Sequence, residues 1–138
     1  MCELALTLGE VRMARKHLRA WARPARRSTP LAHFPSKSTV YREPYGVALI
    51  MAPWNYPLFL TLAPLVSAIA AGCCAVVKPS AYAPASSRAL AGLLGRLYPP
   101  EYITVIEGGR GENAALLEQR FDYIFFTGSP AVGRTLMA

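Results

Sequence analysis

The pattern of apolar residues differs between the first 22 residues and the chain from residue 46 onward. Residues 3–22 carry apolar side chains at spacings of three, four and seven, which is the period of one helical face. These side chains are Leu4, Leu8, Val11, Leu18 and Trp21. Basic residues lie largely on the other faces, and Pro24 ends the pattern because proline disfavours helix in the residue before it. The pattern predicts an amphipathic helix with its apolar face packed inward.

From residue 46 onward, short apolar runs alternate with longer segments of helical period. Strands separated by helices are typical of a parallel α/β sheet. We therefore expect a Rossmann-like, doubly wound parallel sheet, incomplete over residues 46–138 and preceded by a basic helical arm. The predicted strands are residues 46–52, 74–78, 102–106 and 123–127, and the predicted helices are 58–71, 84–98, 112–119 and one that follows the turn at 128–133.

Residues 46–77 contain no charged side chain, and residues 58–77 alone are long enough to span a bilayer. A transmembrane helix is therefore an alternative on hydropathy. Prolines at 53, 57 and 64 divide the run, and Gly72 stands where a shorter helix would end. Buried parallel strands also show continuous apolar runs. These features favour the α/β interpretation and no membrane span.

The net charge of +7 lies mostly in the first third of the chain. Residues 1–45 hold nine basic and three acidic residues, whereas residues 46–138 hold six and five. A basic arm of this kind is one property of nucleic-acid-binding proteins, but the interleaved aromatics of single-strand binders are missing. We expect residues 1–45 to be a helix followed by an extended connector at 23–38 and a short edge segment at 39–46, with no nucleic-acid partner.

Unusual residues follow each predicted strand, at the edge where α/β sheets bind ligands. In the loop 53–57, two prolines stiffen the chain around Asn55. A rigidly held amide N–H is a suitable donor to an oxyanion, although a turn residue satisfying local backbone is the alternative. Lys78 follows the second strand, where it either binds ribose or phosphate or caps an exposed strand end.

The last strand enters a helix through Gly128 and Ser129. Ser129 suits the N-cap and Pro130 suits the first helical position. The unpaired N–H groups of such a terminus attract anions, but a plain capped helix is equally compatible. His17 and His33 have no partners at ligand spacing, and Cys73 and Cys74 are expected to be small core residues. We expect no metal site.

Three ordered motifs make the chain resemble the aldehyde dehydrogenase superfamily: P-W-N-Y-P at 53–57, V-K-P-S at 77–80 and F-T-G-S-x-x-V-G at 126–133. Residues 10–21, 41–58 and 67–72 resemble its class 3-like branch. The resemblance implies that residues 46–138 are part of a domain that binds NAD or NADP. It also implies a small-molecule aldehyde as substrate and a homodimer for the full-length enzyme.

The resemblance also implies a role for individual residues. Asn55 would donate to the oxyanion of the thiohemiacetal, and Lys78 would contact the adenosine ribose. The nicotinamide side would be lined by Met51, Ala52, Pro53 and Trp54. Adenosine and pyrophosphate would be held by Gly109, Phe126, Thr127, Gly128, Ser129, Val132 and Gly133, with Val132 against the adenine.

Two departures from the family pattern matter. Ala81 stands where the family usually has a Glu that binds the ribose hydroxyls and repels a 2′-phosphate. We therefore expect better tolerance of NADP. The chain also ends at Ala138, upstream of the family's general-base Glu and nucleophilic Cys, so we expect these 138 residues alone to be inactive.

The leading interpretation is an oxidoreductase segment, in which the full-length enzyme oxidises an aldehyde to a carboxylic acid by thiolate attack, hydride transfer and thioester hydrolysis. A non-catalytic nucleotide-binding or interaction module is the alternative, and a basic nucleic-acid-binding protein is a third.

The first residues carry Glu3 and Glu10 instead of a signal peptide's basic start and apolar core. We therefore expect a cytoplasmic protein.

Overall fold

The computed structural model describes residues 2–137, which form one parallel sheet, its helices and a small hairpin. Met1 and Ala138 lie outside the described residues. A short 3₁₀ turn at Leu31–His33 interrupts the arm. The helices are α1 (Cys2–Ala22), α2 (Phe59–Ala71), α3 (Pro84–Leu97), α4 (Arg110–Leu117) and α5 (Pro130–Met137), and the strands are β1 (Ala25–Arg27), β2 (Ser38–Val40), β3 (Val47–Met51), β4 (Cys74–Lys78), β5 (Ile103–Val105) and β6 (Tyr123–Phe126).

Four strands form the main sheet in the order β5-β4-β3-β6. All three pairings are parallel, with Leu49 opposite both Val76 and Ile124. The chain moves outward from β3 through β4 to β5 and then crosses back to β6 on the other side of β3. Strand order therefore reverses beside β3, which is where ligands bind in open α/β sheets. The predicted parallel α/β fold is confirmed.

The core lies between this sheet and the helices α2 and α3. Ile50, Ala75 and Val77 of the central strands contact Leu65 of α2 and Leu94 of α3, and all five are at most 3% exposed. The continuous apolar runs of β3 and β4 follow from this burial, since a central parallel strand is covered on both faces. β4 has the predicted bounds, and the other predicted elements of the sheet domain are confirmed to within two residues.

The uncharged run at 58–77 divides into a helix and a strand. Gly72 adopts the left-handed conformation (φ 84°, ψ 17°) at the end of α2, and its N–H reaches back to the Ala68 and Ile69 carbonyls. This is the usual helix C-terminus for glycine, which has no Cβ to clash. Among residues 2–137, no helix is both long and apolar enough to cross a membrane.

The helix α1 forms as predicted, but the prediction of which face packs inward was wrong. Its less exposed positions are Glu3, Thr7, Glu10, Ala14 and His17, whereas Leu4, Leu8, Val11, Leu18 and Trp21 are each at least 40% exposed. The polar face lies on α2, where Glu3 accepts hydrogen bonds from the α2 backbone. The face of α1 that meets α2 therefore carries this carboxylate and is not the apolar face.

Residues 23–40 are also more ordered than an extended connector. β1 and β2 pair antiparallel, with Ala25 opposite Val40. The Thr29 hydroxyl donates to Ser38 Oγ at 2.9 Å and accepts from the Ser38 N–H at 2.9 Å. Arg42 donates to the carbonyls of Trp21 and Arg23, which joins the hairpin to the end of α1.

Candidate functional site

The carboxyl ends of β3, β4 and β6 meet at one edge of the sheet. The Ala52 N–H donates to the Lys78 carbonyl at 3.1 Å, and the Thr127 N–H donates to the Met51 carbonyl at 3.1 Å. Backbone pairing thus continues one residue beyond β3 and β6, which holds the turns that follow them in fixed positions. This is the edge at which the sequence predicts binding.

A cavity of about 260 Å³, which we call the edge cavity, lies among these turns. Six predicted cofactor-binding residues line it: Met51, Ala52, Lys78, Gly109, Phe126 and Val132. Ala81, the position expected to affect the choice of cofactor, also lines it. The lining further includes residues that the sequence did not single out for binding: Pro79, Ser80, Tyr82, Gly108, Arg110 and Asn113. Pro53, Trp54, Asn55, Thr127, Gly128, Ser129 and Gly133 lie outside this lining.

Lys78 is buried, at 3% exposure, rather than capping an exposed strand end. Its Nζ donates to the Gly108 carbonyl at 2.6 Å and to the Pro79 carbonyl at 3.0 Å. Burial lowers the pKa of Lys78, and the nearby Glu112 carboxylate partly offsets this by favouring the charged form. An ammonium carries three donors, so one N–H remains for a ligand in the edge cavity.

The Gly-rich turn before α4 is closed by Glu112. Its carboxylate accepts from the Gly109 N–H at 2.6 Å. Hydrogen bonds from its own backbone N–H and from Gly109, together with the charge of Lys78, lower the pKa of Glu112. Gly108 adopts a positive φ of 131°, and a Cβ there would overlap the Glu112 side chain. This local closure starts α4 at Arg110, two residues before the predicted helix.

Asn113 is a lining residue that sequence reasoning missed. Its Oδ1 atom is buried without a hydrogen-bond partner among the described residues, a state that costs about 1–3 kcal/mol. The side chain lies one turn into α4 and borders the edge cavity beside Arg110. Its place after a Gly-rich turn at the binding edge was the available signal.

The turn after β6 has the predicted helix start. Ser129 Oγ accepts from the Val132 N–H at 3.4 Å, and Pro130 is the first residue of α5. The Phe126 ring folds back over the turn so closely that a Cβ at Gly128 would overlap it. A side chain at residue 128 would therefore displace this ring, and Phe126 and Val132 border the edge cavity.

The loop 53–57 lies beyond the edge cavity and leads into α2. The Asn55 side chain is exposed, and Trp54 is 64% exposed. Tyr56 has a positive φ of 50°, an uncommon conformation for a residue with a Cβ. The Thr61 hydroxyl, fully buried, donates to the Pro57 carbonyl at 2.6 Å. Asn55 is thus carried by a strained turn that is tied to the first turn of α2.

A larger groove of about 580 Å³ lies elsewhere, on the α2 side of β3 and β6. Its lining is mostly apolar and includes Pro64, Tyr123 and Phe125. It contains none of the residues that follow the strands. The smaller edge cavity is therefore the better candidate, because its polar groups converge at the topological switch point.

Known proteins that are similar to this chain share one family. A sequence model described as the aldehyde dehydrogenase family matches residues 3–138. The chain belongs to the aldehyde dehydrogenase family. It is 46% identical over 132 residues to the 4,4′-diaponeurosporen-aldehyde dehydrogenase of Staphylococcus aureus. These residues are 96% of this chain and 29% of that aldehyde dehydrogenase, so the chain spans less than a third of this relative's length.

Two solved aldehyde dehydrogenase structures share the fold over 98% of this chain. The substrate-bound state of Staphylococcus aureus AldH superposes with a TM-score of 0.96 at 44% identity, over 30% of its own chain. The Mycobacterium tuberculosis aldehyde dehydrogenase complexed with NAD⁺ gives 0.81 at 31% identity, over 28% of its chain. The resemblance inferred from the three motifs is confirmed.

Proposed function

We propose that this chain supplies the dinucleotide-binding part of an NAD(P)-dependent aldehyde dehydrogenase that oxidises an aldehyde to a carboxylic acid. The observation that carries the proposal is the edge cavity at the switch point, lined by Lys78, the Gly108–Gly109 turn and the start of α5. Family membership supports the reaction, and the NAD⁺ in the Mycobacterium tuberculosis relative supports the cofactor class.

The residues present fit the adenosine half of NAD or NADP. The remaining Lys78 N–H is a donor for ribose oxygens, and an Asn113 amide with an unpaired oxygen offers a further polar contact. Val132 and Phe126 provide apolar surface for a flat base. When bound, the nicotinamide accepts a hydride from the substrate. The residues of this chain bind and orient the dinucleotide.

Asn55 would stabilise the negative oxygen that forms when a thiolate attacks the aldehyde. Preorganised N–H donors lower the energy of such an oxyanion because they need no reorientation during the reaction. The exposed Asn55 amide, on a loop tied to α2 through Thr61, is consistent with this role. Met51, Ala52, Pro53 and Trp54 would lie along the nicotinamide side.

Acceptance of NADP is part of the proposal. Ala81 borders the edge cavity without offering a carboxylate, and Arg110 borders the same cavity. A 2′-phosphate would therefore meet two cations, Lys78 and Arg110, with the carboxylate of Glu112 held on the Gly109 N–H. We expect NADP to bind at least as well as NAD.

Isothermal titration of the 138-residue chain with NAD⁺, NADP⁺ and ADP-ribose tests the binding. Saturable one-to-one binding of ADP-ribose, lost on substitution of Lys78, is the expected result. Absence of binding by a folded chain would contradict the proposal.

Activity is tested in a chimera in which residues 1–138 replace the matching segment of the Staphylococcus aureus relative. A chimera that binds NAD⁺ but does not oxidise aldehydes would favour a non-catalytic binding module.

Four finer expectations belong to the same proposal. The full-length protein would act on a small-molecule aldehyde, without a nucleic-acid partner. It would be a homodimer, as the resemblance to the class 3-like branch implies, and its expected location is the cytoplasm. Sedimentation of the full-length protein and titration with labelled DNA at low salt test the partners, and cell fractionation tests the location.

A further inference from the structure

Glu3 makes a contact that joins the N-terminal arm to the proposed active site. Its Oε2 atom accepts hydrogen bonds from the N–H groups of Leu58 (2.9 Å) and Phe59 (3.0 Å). Fifty-five and fifty-six residues separate the partners in sequence. Glu3 is half-buried, and the next residue on the same helical face, Thr7, is buried. The carboxylate is therefore enclosed at the junction of α1 and α2.

This contact supplies what α2 lacks. The first N–H groups of a helix have no partner within the helix, and a side chain just before it usually satisfies one of them. The residue before α2 is Leu58, which provides no side-chain hydrogen bond. Glu3 places a negative charge at this positive end of the helix dipole. It acts as an N-cap contributed from a distant part of the chain.

The capped turn is continuous with the loop that carries Asn55. The Leu60 N–H donates to the Tyr56 carbonyl at 3.0 Å, and the Thr61 hydroxyl donates to the Pro57 carbonyl at 2.6 Å. Tyr56 is held at a positive φ of 50°, a conformation that persists only where its surroundings impose it. Release of the first turn of α2 would thus release Tyr56 and the adjoining Asn55.

We propose that Glu3 is a positioning residue for Asn55: its carboxylate anchors the start of α2 and so fixes the loop 53–57 in the orientation that oxyanion stabilisation requires. This inference rests on the proposed function, since it assigns Glu3 a role in the same site. It also gives the arm a function that its basic charge does not indicate.

Three variants of the 138-residue chain test the anchoring directly. Glu3→Ala removes the acceptor, and Glu3→Gln keeps an acceptor oxygen without the charge. Glu10→Ala is the matched control, because Glu10 is a half-buried carboxylate on the same face of α1 and makes no hydrogen bond to the α2 backbone among the described residues. The readouts are amide exchange at Leu58 and Phe59 and ¹⁵N relaxation of Asn55.

In Glu3→Ala, exchange at Leu58 and Phe59 should accelerate by about tenfold or more, as loss of a charge-assisted hydrogen bond predicts. The backbone order parameter of Asn55 from ¹⁵N relaxation should fall in the same variant. Glu3→Gln should restore part of both values, because it keeps the acceptor without the charge, and Glu10→Ala should leave them unchanged. An Asn55 order parameter in Glu3→Ala equal to that of the wild type would overturn the inference. An equal loss of order and of exchange protection in Glu10→Ala would also overturn it.

The chimera described above gives the kinetic readout. Glu3→Ala should lower kcat by about tenfold with KM for the aldehyde and affinity for NAD⁺ unchanged, because misplacement of a catalytic group affects the transition state most. Asn55→Ala separates the role of Asn55 from the role of Glu3. If Asn55→Ala leaves kcat unchanged, the proposed function of Asn55 fails. If Asn55→Ala lowers kcat and Glu3→Ala does not, only the role of Glu3 fails.

Discussion

The Lys78 ammonium and the Gly108 carbonyl meet at 2.6 Å, joining the end of β4 to the turn that follows β5. Thirty residues separate them in sequence. The contact closes one wall of the edge cavity and places a nearly inaccessible cation there. A ligand oxygen that takes the remaining N–H of Lys78 would therefore bind a preformed donor, without the cost of ordering a flexible side chain.

Replacement of Lys78 by Met should weaken binding of ADP-ribose by about tenfold or more, because hydrogen bonds to charged groups contribute about 1.5–3 kcal/mol. Methionine is similar in length and apolar, so it should remain compatible with the buried position. Isothermal titration measures the change. Lys37→Met removes an exposed cation from the arm and should leave the affinity as it is. Equal effects of the two substitutions would contradict a specific role for Lys78.

The lowered pKa of Lys78 predicts a pH dependence of stability. Between this lowered pKa and the ordinary value of 10.5, the unfolded chain holds a proton that the folded chain has released. The free energy of unfolding should therefore rise with pH across this window, relative to Lys78→Met, and the difference should be constant below it. Urea unfolding at several alkaline pH values checks the sign. A difference that falls with rising pH would show that Lys78 is not destabilised by burial.

The lowered pKa of Glu112 predicts how the free energy of unfolding changes at acid pH. Its pKa is lowered by the N–H groups of Glu112 and Gly109, so its stabilising contribution is complete above the ordinary value of 4.5. The contribution should be lost as the pH falls through the lowered pKa. Acid unfolding of Glu112→Gln should therefore depend less steeply on pH than that of the wild type. Parallel curves for the two proteins would contradict the prediction.

Substitution of Gly128 by Ala should destabilise the chain by about 1–3 kcal/mol, since the added Cβ would overlap the Phe126 ring and force it from its place. Gly133→Ala is the matched control. Its Cβ would lie 3.7 Å from the same ring, an ordinary contact, and alanine is the better helix former. Denaturant unfolding of both variants should show a loss for the first and no loss for the second.

A carboxylate at position 81 should change the choice between NAD and NADP. Ala81→Glu should reduce affinity for adenosine 2′,5′-bisphosphate by about tenfold relative to ADP-ribose, because like charges a few ångströms apart repel by about 1–4 kcal/mol. Ala81→Gln, which has nearly the same shape without the charge, controls for steric effects. Titration of wild type and both variants with the two ligands decides this. An unchanged preference in Ala81→Glu would place the 2′-phosphate away from residue 81.

Local signals were sufficient for most of the sheet. The apolar run at 73–77 lies between Gly72 and the pair Lys78-Pro79, and the strand predicted at 74–78 matched β4 to the residue. Ser129 and Pro130 occupied their predicted positions because N-cap preference depends only on adjacent residues. The start of α4 was displaced by two residues because the Glu112 carboxylate closes the preceding turn. Such closure depends on a side-chain rotamer that composition does not reveal.

Other features of the fold and of the candidate site could be found only from the three-dimensional structure. The hydrophobic period predicted that the apolar face of α1 packs inward, but the face that lies on α2 is the one on which Glu3 meets the start of α2. Asn113 entered the edge cavity because the Gly108–Gly109 turn aims the first turn of α4 at it. The role of Lys78 as an internal tie likewise depends on a carbonyl thirty residues away.

The sequence by itself determined the alternation of strands and helices, the family and the edge of the sheet at which chemistry is expected. These properties follow from local propensity, hydrophobic period and short motifs, which act over a few residues. Only the tertiary structure decided which face of α1 is covered, how Lys78 is held and that Glu3 caps α2. These features depend on hydrogen bonds between distant segments, and a buried polar group takes its partner from whichever segment the fold brings within reach.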